Sequence, residues 1–446
     1  MPDACRSLRR ARPRPPTRAD SKLPELPEMG HSGKTPDPRG MSHYWTCSGS
    51  VRGISESNCV PSRGRGGMIE TLADKLVQSK YRPSGFDYIR LFLALSVITF
   101  HSLAVTYGVT WAGEAFNRNA FVTPVVKMLT FFILPSFFAL SGFLVSGSLE
   151  RNQSLFVFLG SRAIRIVPAL SVEVFLSALL LGPLLTKLPP AEYFTDFKFR
   201  IYFTNILGIV HFQLPGVFAQ NPIPNVVNGQ LWTVPVEMKS YIVLTIMAML
   251  GVVRNGRVLV TVCVVAFVAL ILYQKHEAGV ADGELAGDVL VFCFLLGVAA
   301  YRFRRIIPYR KDLCLVAVLT YLSCIFIPYS NILIAIPITY TTIYLGLWNG
   351  RRIALVRSGD YSYGIYIYGF VIQQTIVGAS PSLRHLYVSL PLMVVLVFCF
   401  AAFSWFVIEK PALRSRKYLP VLDEAIKSAI RKFAPKAKAT PKSARA

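Results

Sequence analysis

Long, uninterrupted apolar runs dominate the chain from residue 86 onward. These runs are about 17–25 residues long, and each is long enough to cross a hydrocarbon core of roughly 30 Å as an α-helix. We therefore predict an all-α fold, a polytopic membrane helix bundle with ten spans at approximately 88–108, 125–148, 167–187, 231–253, 258–274, 286–302, 313–329, 331–348, 361–380 and 386–408.

The segments that flank the apolar runs are polar. Residues 1–67 are rich in Pro, Gly and Ser and lack a helical period, which predicts a disordered basic tail. Residues 68–85 form an amphipathic lead-in, and we hypothesise that Met68 is the natural start. The predicted transmembrane domain covers 86–414, and residues 415–446 form a basic tail with an amphipathic helix near 421–433.

Composition and charge exclude a soluble protein and set the orientation. Of the 446 residues only 16% are charged, whereas soluble domains carry about 25%. The net charge of +24 resides largely in both tails, which lack the interleaved aromatic residues of nucleic-acid binders. With a cytoplasmic N-terminus, thirteen Lys or Arg fall in cytoplasmic loops and five in the opposite loops, so we predict that both termini are cytoplasmic. The cysteines lack metal-ligand spacing, and we expect no metal site.

Ionisable residues inside predicted spans mark candidate functional sites, because burying them in a membrane is costly. Arg90 and His101 are eleven residues apart, about three helical turns, and therefore share one face of the first span at depths that differ by roughly 16 Å. The alternative is a terminal arginine anchor and a packing histidine. Arg162 and Arg165 form a fork suited to phosphate oxygens, and positive-inside anchoring is the competing explanation. We expect Glu173 to pair with one of these arginines.

Several motifs, in chain order, resemble the acyltransferase 3 family of membrane acyltransferases. They cover about residues 86–414 and comprise Arg90-x10-His101, Phe138-x-Leu-Ser-Gly-Phe-Leu144, Arg162-x-x-Arg165, Leu231–Glu237, Ser362–Tyr366 and Phe406–Pro411. One departure is that Gly369 stands where many relatives have a histidine, so we assign no proton transfer to the ninth span.

The resemblance implies a multi-pass enzyme of the bacterial inner membrane. Such an enzyme moves an acyl group, usually acetyl, from cytoplasmic acyl-coenzyme A to a hydroxyl of an exopolysaccharide, lipopolysaccharide, nodulation-factor or lipid-linked glycan. It has no bound cofactor, since acyl-coenzyme A is the donor substrate. The family's functional residues correspond to Arg90, His101, Arg162 and Arg165, and a further motif contains Trp232 and Glu237.

These correspondences suggest individual roles. A histidine suits the general base that acyl transfer to a hydroxyl requires, so we expect His101 to be catalytic and the arginines to bind acyl-coenzyme A. We hypothesise that Glu237 lies at the depth of His101 and orients its imidazole; the alternative is a pairing elsewhere in the bundle. Trp232, Tyr363 and Tyr366 are candidates for an acceptor path or for structural positions.

Two other classes of function stay open at this point. A transporter or flippase for a glycan lipid would also need buried Arg, His and Glu. A structural membrane protein would not need Arg90 and His101 on one helix face. Dependence on acyl-coenzyme A separates the enzyme from both alternatives. The expected partners are acyl-coenzyme A, the glycan acceptor and membrane lipid, with no nucleic acid.

Overall fold

The chain folds into α-helices wherever an apolar run predicts a span. The computed structural model describes residues 69–108, 122–152, 154–276, 286–325, 327 and 330–433, and these contain no β-strand. We label the main helices α1 Gly85–Tyr107, α2 Val122–Arg151, α3 Leu155–Phe175, α4 Thr233–Met249, α5 Gly256–His276, α6 Gly287–Arg302, α7 Lys311–Cys324, α8 Ala335–Gly346, α9 Ser362–Ala379, α10 Leu386–Phe403 and α11 Leu419–Phe433.

Five helical segments are long and apolar enough to cross a membrane. They are Gly85–Tyr107, Lys127–Arg151, Leu155–Leu185, Gly256–Gln274 and Leu386–Ile430. The all-helical membrane bundle is therefore confirmed, while the count of ten spans and the side of the termini stay predictions. The predicted disordered segment 1–67 lies outside the described residues, and so does the end of the tail from 434 onward.

Short elements connect and extend the main helices. Leu72–Gln78 precedes α1, and the long connection between α3 and α4 contains several single turns rather than a further span. The short helices are Leu72–Gln78, Leu176–Leu181 (π), Gly182–Leu185, Pro190–Thr195, Phe197–Tyr202, Phe203–Leu207 (3₁₀), Gly229–Trp232 (3₁₀), Ser330–Leu333, Ala354–Ser358, Pro381–Leu383 (3₁₀), Ser404–Glu409 (π), Lys410–Arg414 and Ser415–Tyr418 (3₁₀).

Helix α3 begins well before the predicted boundary at residue 167. The Ser154 side chain accepts a hydrogen bond from the Val157 N–H and so caps a helix that starts at Leu155. Arg162 and Arg165, which precede the predicted span, lie in this helix and are half-buried. The apolar run marked only the later part of the helix, because its first turns carry a polar face.

Two glycines let α2 and α6 touch backbone to backbone. An ideal Cβ on Gly142 would lie 2.0 Å from the Phe294 carbonyl oxygen, and one on Gly297 would lie 2.1 Å from the Ala139 carbonyl oxygen. Small residues permit this close approach of membrane helices, which van der Waals packing then stabilises. The glycine of the Ser141-Gly142 motif thus has a packing role.

Helix α9 lies in the interior of the bundle. Its residues are buried almost all round, and it packs against α1, α10 and the connection that precedes α4. Gly369 explains how α9 approaches α1, because an ideal Cβ there would be 2.5 Å from Ile98 Cγ2. A side chain at this position would have to displace that of Ile98. Helix α5 is mostly exposed, as expected for a helix that faces lipid.

Candidate active site

A cavity of about 450 Å³ opens between five of the main helices. Helices α1, α2, α3, α4 and α9 contribute to its wall, together with the segment that follows α10. Its polar wall contains Arg90, Ser148, Arg151, Arg162, Arg165, Glu237, Tyr241, Asp360, Ser362, Tyr363, Tyr366 and Arg416. The remainder of the wall is largely apolar and aromatic, with Leu134, Phe137 and Phe138 from α2.

Two of the cavity arginines are held by carboxylates. Asp360 Oδ2 lies 2.7 Å from Arg165 Nη2 and 3.5 Å from Arg90 Nη1. Arg165 Nη1 also lies 3.4 Å from Oε2 of the buried Glu409. Burial acts to raise the pKa of Asp360, but the guanidinium groups of Arg165 and Arg90 outweigh it and hold that pKa well below its ordinary value. Asp360 therefore ties α1 and α3 to the start of α9.

The other three cavity arginines have no carboxylate partner among the described residues. Arg162 Nη2 donates a hydrogen bond to Ser148 Oγ at 3.4 Å, and its Nε is buried without a partner. Arg416 also has a buried, unpartnered Nε and lies close to Arg162. Arg151, at the end of α2, is exposed. Guanidinium groups that have no ion-pair partner in a shared cavity wall can bind a multivalent anion.

Two of the three tyrosines of α9, Tyr363 and Tyr366, belong to the cavity wall. The Tyr363 hydroxyl donates to the Ile166 carbonyl oxygen at 2.9 Å, and the Arg165 guanidinium lies over the Tyr363 ring. The Tyr366 hydroxyl donates to the Gln230 carbonyl oxygen at 2.7 Å and contacts Thr233 Oγ1. Both hydroxyls thus join α9 to neighbouring segments, while the rings line the cavity.

His101 does not belong to the cavity wall, although it lies on the same helix as Arg90. Its ring packs edge-on against Phe370, one turn of α9 after Tyr366, at a centroid distance of 5.5 Å. Nδ1 lies 2.9 Å from the Val97 carbonyl oxygen. Because a carbonyl only accepts, Nδ1 carries a proton in this contact and Nε2 is left as an acceptor. The neutral imidazole therefore presents the nitrogen that a general base needs.

Glu237 does not meet His101. Its Oε1 accepts a hydrogen bond from the Tyr241 hydroxyl. Glu237 belongs to the cavity wall, where it faces Arg162 and Arg165, whereas His101 does not belong to that wall. The structure therefore does not bring Glu237 and His101 together as hypothesised.

Glu173 does not pair with an arginine, contrary to expectation. It is 1% exposed, and its Oε1 accepts hydrogen bonds from Ser177 Oγ at 2.8 Å and Asn228 Nδ2 at 3.0 Å. Arg165 is already engaged by Asp360 and Glu409, which accounts for the difference. Trp232 is half-buried and packs against the main hydrophobic core, outside the cavity wall.

Sequence reasoning missed Asp360, Glu409 and Arg416. Glu409 lies in the Phe406–Pro411 motif and Asp360 directly precedes Tyr361 and Ser362, so both stand beside segments that the motifs identify. Arg416 carried no signal, since its basic neighbours match those of any membrane-flanking tail.

The cavity between the helices is thus lined by several arginines, and His101 lies outside its wall on the helix that carries Arg90. Residues 84–410 match the family model of the acyltransferase domain. The chain therefore belongs to the acyltransferase 3 family and is an acyltransferase. The family match therefore supports the enzyme and not the transporter or the structural membrane protein considered above.

Two relatives are similar over most of their length. An O-acetyl transferase of Shigella phage Sf6 is 27% identical over 341 residues, covering 74% of this chain and 96% of the relative. Nodulation protein 10 of Rhizobium leguminosarum bv. viciae is 27% identical over 372 residues, covering 75% of this chain and 95% of the relative. No solved structure matches the chain.

Proposed function

We propose that this protein transfers an acyl group, in particular acetyl, from cytoplasmic acyl-coenzyme A to a hydroxyl of a surface or lipid-linked polysaccharide. The proposed location is the inner membrane of a bacterium. The name of the O-acetyl transferase relative supports acetyl as the group transferred. The observation that carries the proposal is the cavity, whose wall holds five arginines and includes Arg90 of the helix that also carries His101.

The donor site of this proposal consists of the three arginines that have no carboxylate partner. Arg162, Arg416 and Arg151 bind the phosphate groups of coenzyme A through charge-assisted hydrogen bonds. Arg90 and Arg165, whose charges Asp360 offsets, shape the wall and face the donor from the side. The pantetheine arm then follows the apolar wall of α2 toward Tyr366, and the thioester lies next to His101.

The chemical step requires a base and a leaving group. His101 Nε2 accepts the proton of the acceptor hydroxyl while the hydroxyl oxygen attacks the thioester carbonyl carbon. The new C–O bond forms, the C–S bond breaks, and the coenzyme A thiolate takes the proton from His101. The hydrogen bond between Nδ1 and the Val97 carbonyl fixes the tautomer that this step needs. Placing His101 away from the open end of the cavity protects the thioester from water.

The remaining candidate residues receive supporting roles. Glu237, with its hydrogen bond from Tyr241, balances arginine charge midway along the cavity. Tyr363 and Tyr366 present aromatic faces on which a pyranose ring of the acceptor can stack, and their hydroxyls fix the rings in place. Trp232 supports the start of α4 through the core.

Complementation of a gene deletion tests this proposal. Wild type or His101→Ala is expressed in the deletion strain at equal membrane levels, and ester-linked acyl groups on surface glycans are measured by mass spectrometry. We expect wild type to restore the acyl mass and His101→Ala to leave it absent. The matched control is His385→Ala, because His385 is exposed and lies outside the cavity wall. Acylation that persists in His101→Ala would contradict the proposed role of His101.

A further inference from the structure

The chain beyond the last apolar run forms an amphipathic helix with an uncovered apolar stripe. In and just before α11, Tyr418, Val421, Leu422, Ile426 and Ile430 are all exposed, with Val421 at 68% and Leu422 at 50%. At 100° per residue these positions fall on one side of the helix. Lys417, Glu424 and Lys427 lie on the opposite side, so the helix has one apolar face and one charged face.

One edge of this helix is fixed to the bundle. Leu419 packs against Gly160 of α3, where an ideal Cβ would lie 2.9 Å from Leu419 Cδ2. Asp423, which is 7% exposed, interacts with Ser154 at the start of α3 and accepts a hydrogen bond from Lys427 Nζ at 2.6 Å. The apolar stripe makes no such contact and stays exposed. The helix that carries it follows α10 in the same apolar segment of the chain.

The same segment supplies part of the cavity wall. Leu413 and Arg416 line the cavity, and Arg416 precedes Leu419 by only three residues. The Arg416 guanidinium lies near those of Arg162 and Arg165, which repel it. Its position at the cavity therefore depends on how firmly the following helix is held.

We propose that α11 lies in the headgroup layer of the membrane, binds anionic phospholipid, and thereby holds Arg416 at the cavity. Burial of the stripe in the acyl-chain boundary removes its apolar surface from water, and the flanking Lys and Arg contact lipid phosphates. The occupant is lipid rather than another protein because the stripe continues from a membrane-spanning helix and its neighbours are basic. The link to donor affinity rests on the proposed function, whereas the binding of lipid does not.

Hydrogen–deuterium exchange of the full-length protein in nanodiscs tests the lipid contact. Discs of pure phosphatidylcholine are compared with discs that contain phosphatidylglycerol. We expect slower exchange of residues 419–433 in the anionic discs, and we expect Leu422→Glu to abolish the difference. Glu424→Gln, which changes the charge by the same single unit on the opposite side of the helix, is the matched control and retains the difference. Exchange that is equal in both lipids for wild type would overturn the proposal.

Donor kinetics in the same discs test the coupling to Arg416. We expect Leu422→Glu and Arg416→Ala each to raise the KM for acetyl-coenzyme A about tenfold with kcat nearly unchanged, because each removes one charged contact to phosphate. Arg416→Ala leaves the exchange of α11 unchanged, and Glu424→Gln leaves KM unchanged. A Leu422→Glu variant with altered exchange and normal KM would overturn the coupling alone. A wild type without transferase activity would refute the proposed function, while the exchange result would still stand.

Discussion

At the residue scale, the cavity arginines divide according to whether a carboxylate accompanies them. Arg90 and Arg165 share Asp360, and Arg165 also meets Glu409. Arg162 has a hydroxyl partner, Ser148, and no carboxylate among the described residues. Removing an arginine of the first kind leaves a buried carboxylate uncompensated, whereas removing one of the second kind removes only affinity for an anion.

Arg162→Ala and Arg165→Ala should therefore fail in different ways. We expect Arg162→Ala to raise the KM for acetyl-coenzyme A about tenfold to a hundredfold at unchanged thermal stability, as charged hydrogen bonds contribute about 1.5–3 kcal/mol each. Arg165→Ala should destabilise the protein by about 3–5 kcal/mol, because Glu409 is buried. Thermal unfolding measures the loss of stability expected for Arg165→Ala, and donor kinetics measure the rise in KM expected for Arg162→Ala. The control is Arg200→Ala, an exposed arginine of the connection. Equal stability of Arg162→Ala and Arg165→Ala would contradict the distinction between arginines with and without a carboxylate partner.

Asp360 links stability to pH. Since its pKa in the folded protein is lowered, its stabilising contribution is complete above about pH 4, the ordinary range of an aspartate, and is lost as the pH falls through the lower folded value. We expect Asp360→Asn to melt at a lower temperature than wild type at pH 7 and to lose less stability between pH 5 and pH 3. Unfolding curves across this range provide the measurement, and identical curves at pH 7 would contradict the account.

At the element scale, periodicity predicted where helices occur but not how far they extend. Apolar runs identified each main helix because burial in lipid demands a continuous apolar segment. The start of α3 at Leu155 was missed, since Arg162 and Arg165 resemble loop residues when their buried partners are unknown. The neighbours of Glu173 and Glu237 could not be read from sequence, because they depend on how the helices rotate about their axes.

The close contact between α2 and α6 can be tested by adding one methyl group to a glycine at the contact. An ideal Cβ at Gly142 meets the Phe294 carbonyl oxygen at 2.0 Å, so Gly142→Ala forces the helices apart. We expect a clear fall in melting temperature, of the size that overpacking causes, about 1–3 kcal/mol. Ala269→Leu on the exposed face of α5 adds more volume and should be neutral. Unchanged stability of Gly142→Ala would show that the helices do not touch as described.

At the scale of the whole molecule, the cavity arginines and His101 are at different places in the bundle. The arginines lie in the cavity wall, whereas His101 lies outside it and packs against Phe370 of α9. Sequence motifs contain Arg90, Arg162 and Arg165, which the structure brings together in one cavity wall, whereas the catalytic role of His101 stays a prediction. They did not indicate that Asp360 and Glu409 organise the site or that Arg416 joins it from the segment after α10, because these contacts link residues far apart in the chain.

The central claim is that His101 serves acyl transfer from acyl-coenzyme A to a glycan hydroxyl. The most direct measurement incubates purified protein in nanodiscs with acetyl-coenzyme A carrying a labelled acetyl group and with glycan isolated from the deletion strain. We predict alkali-labile label on the glycan with wild type and His385→Ala, and none with equally folded His101→Ala. Label transferred by His101→Ala at the wild-type rate, or no transfer by wild type, would contradict the account.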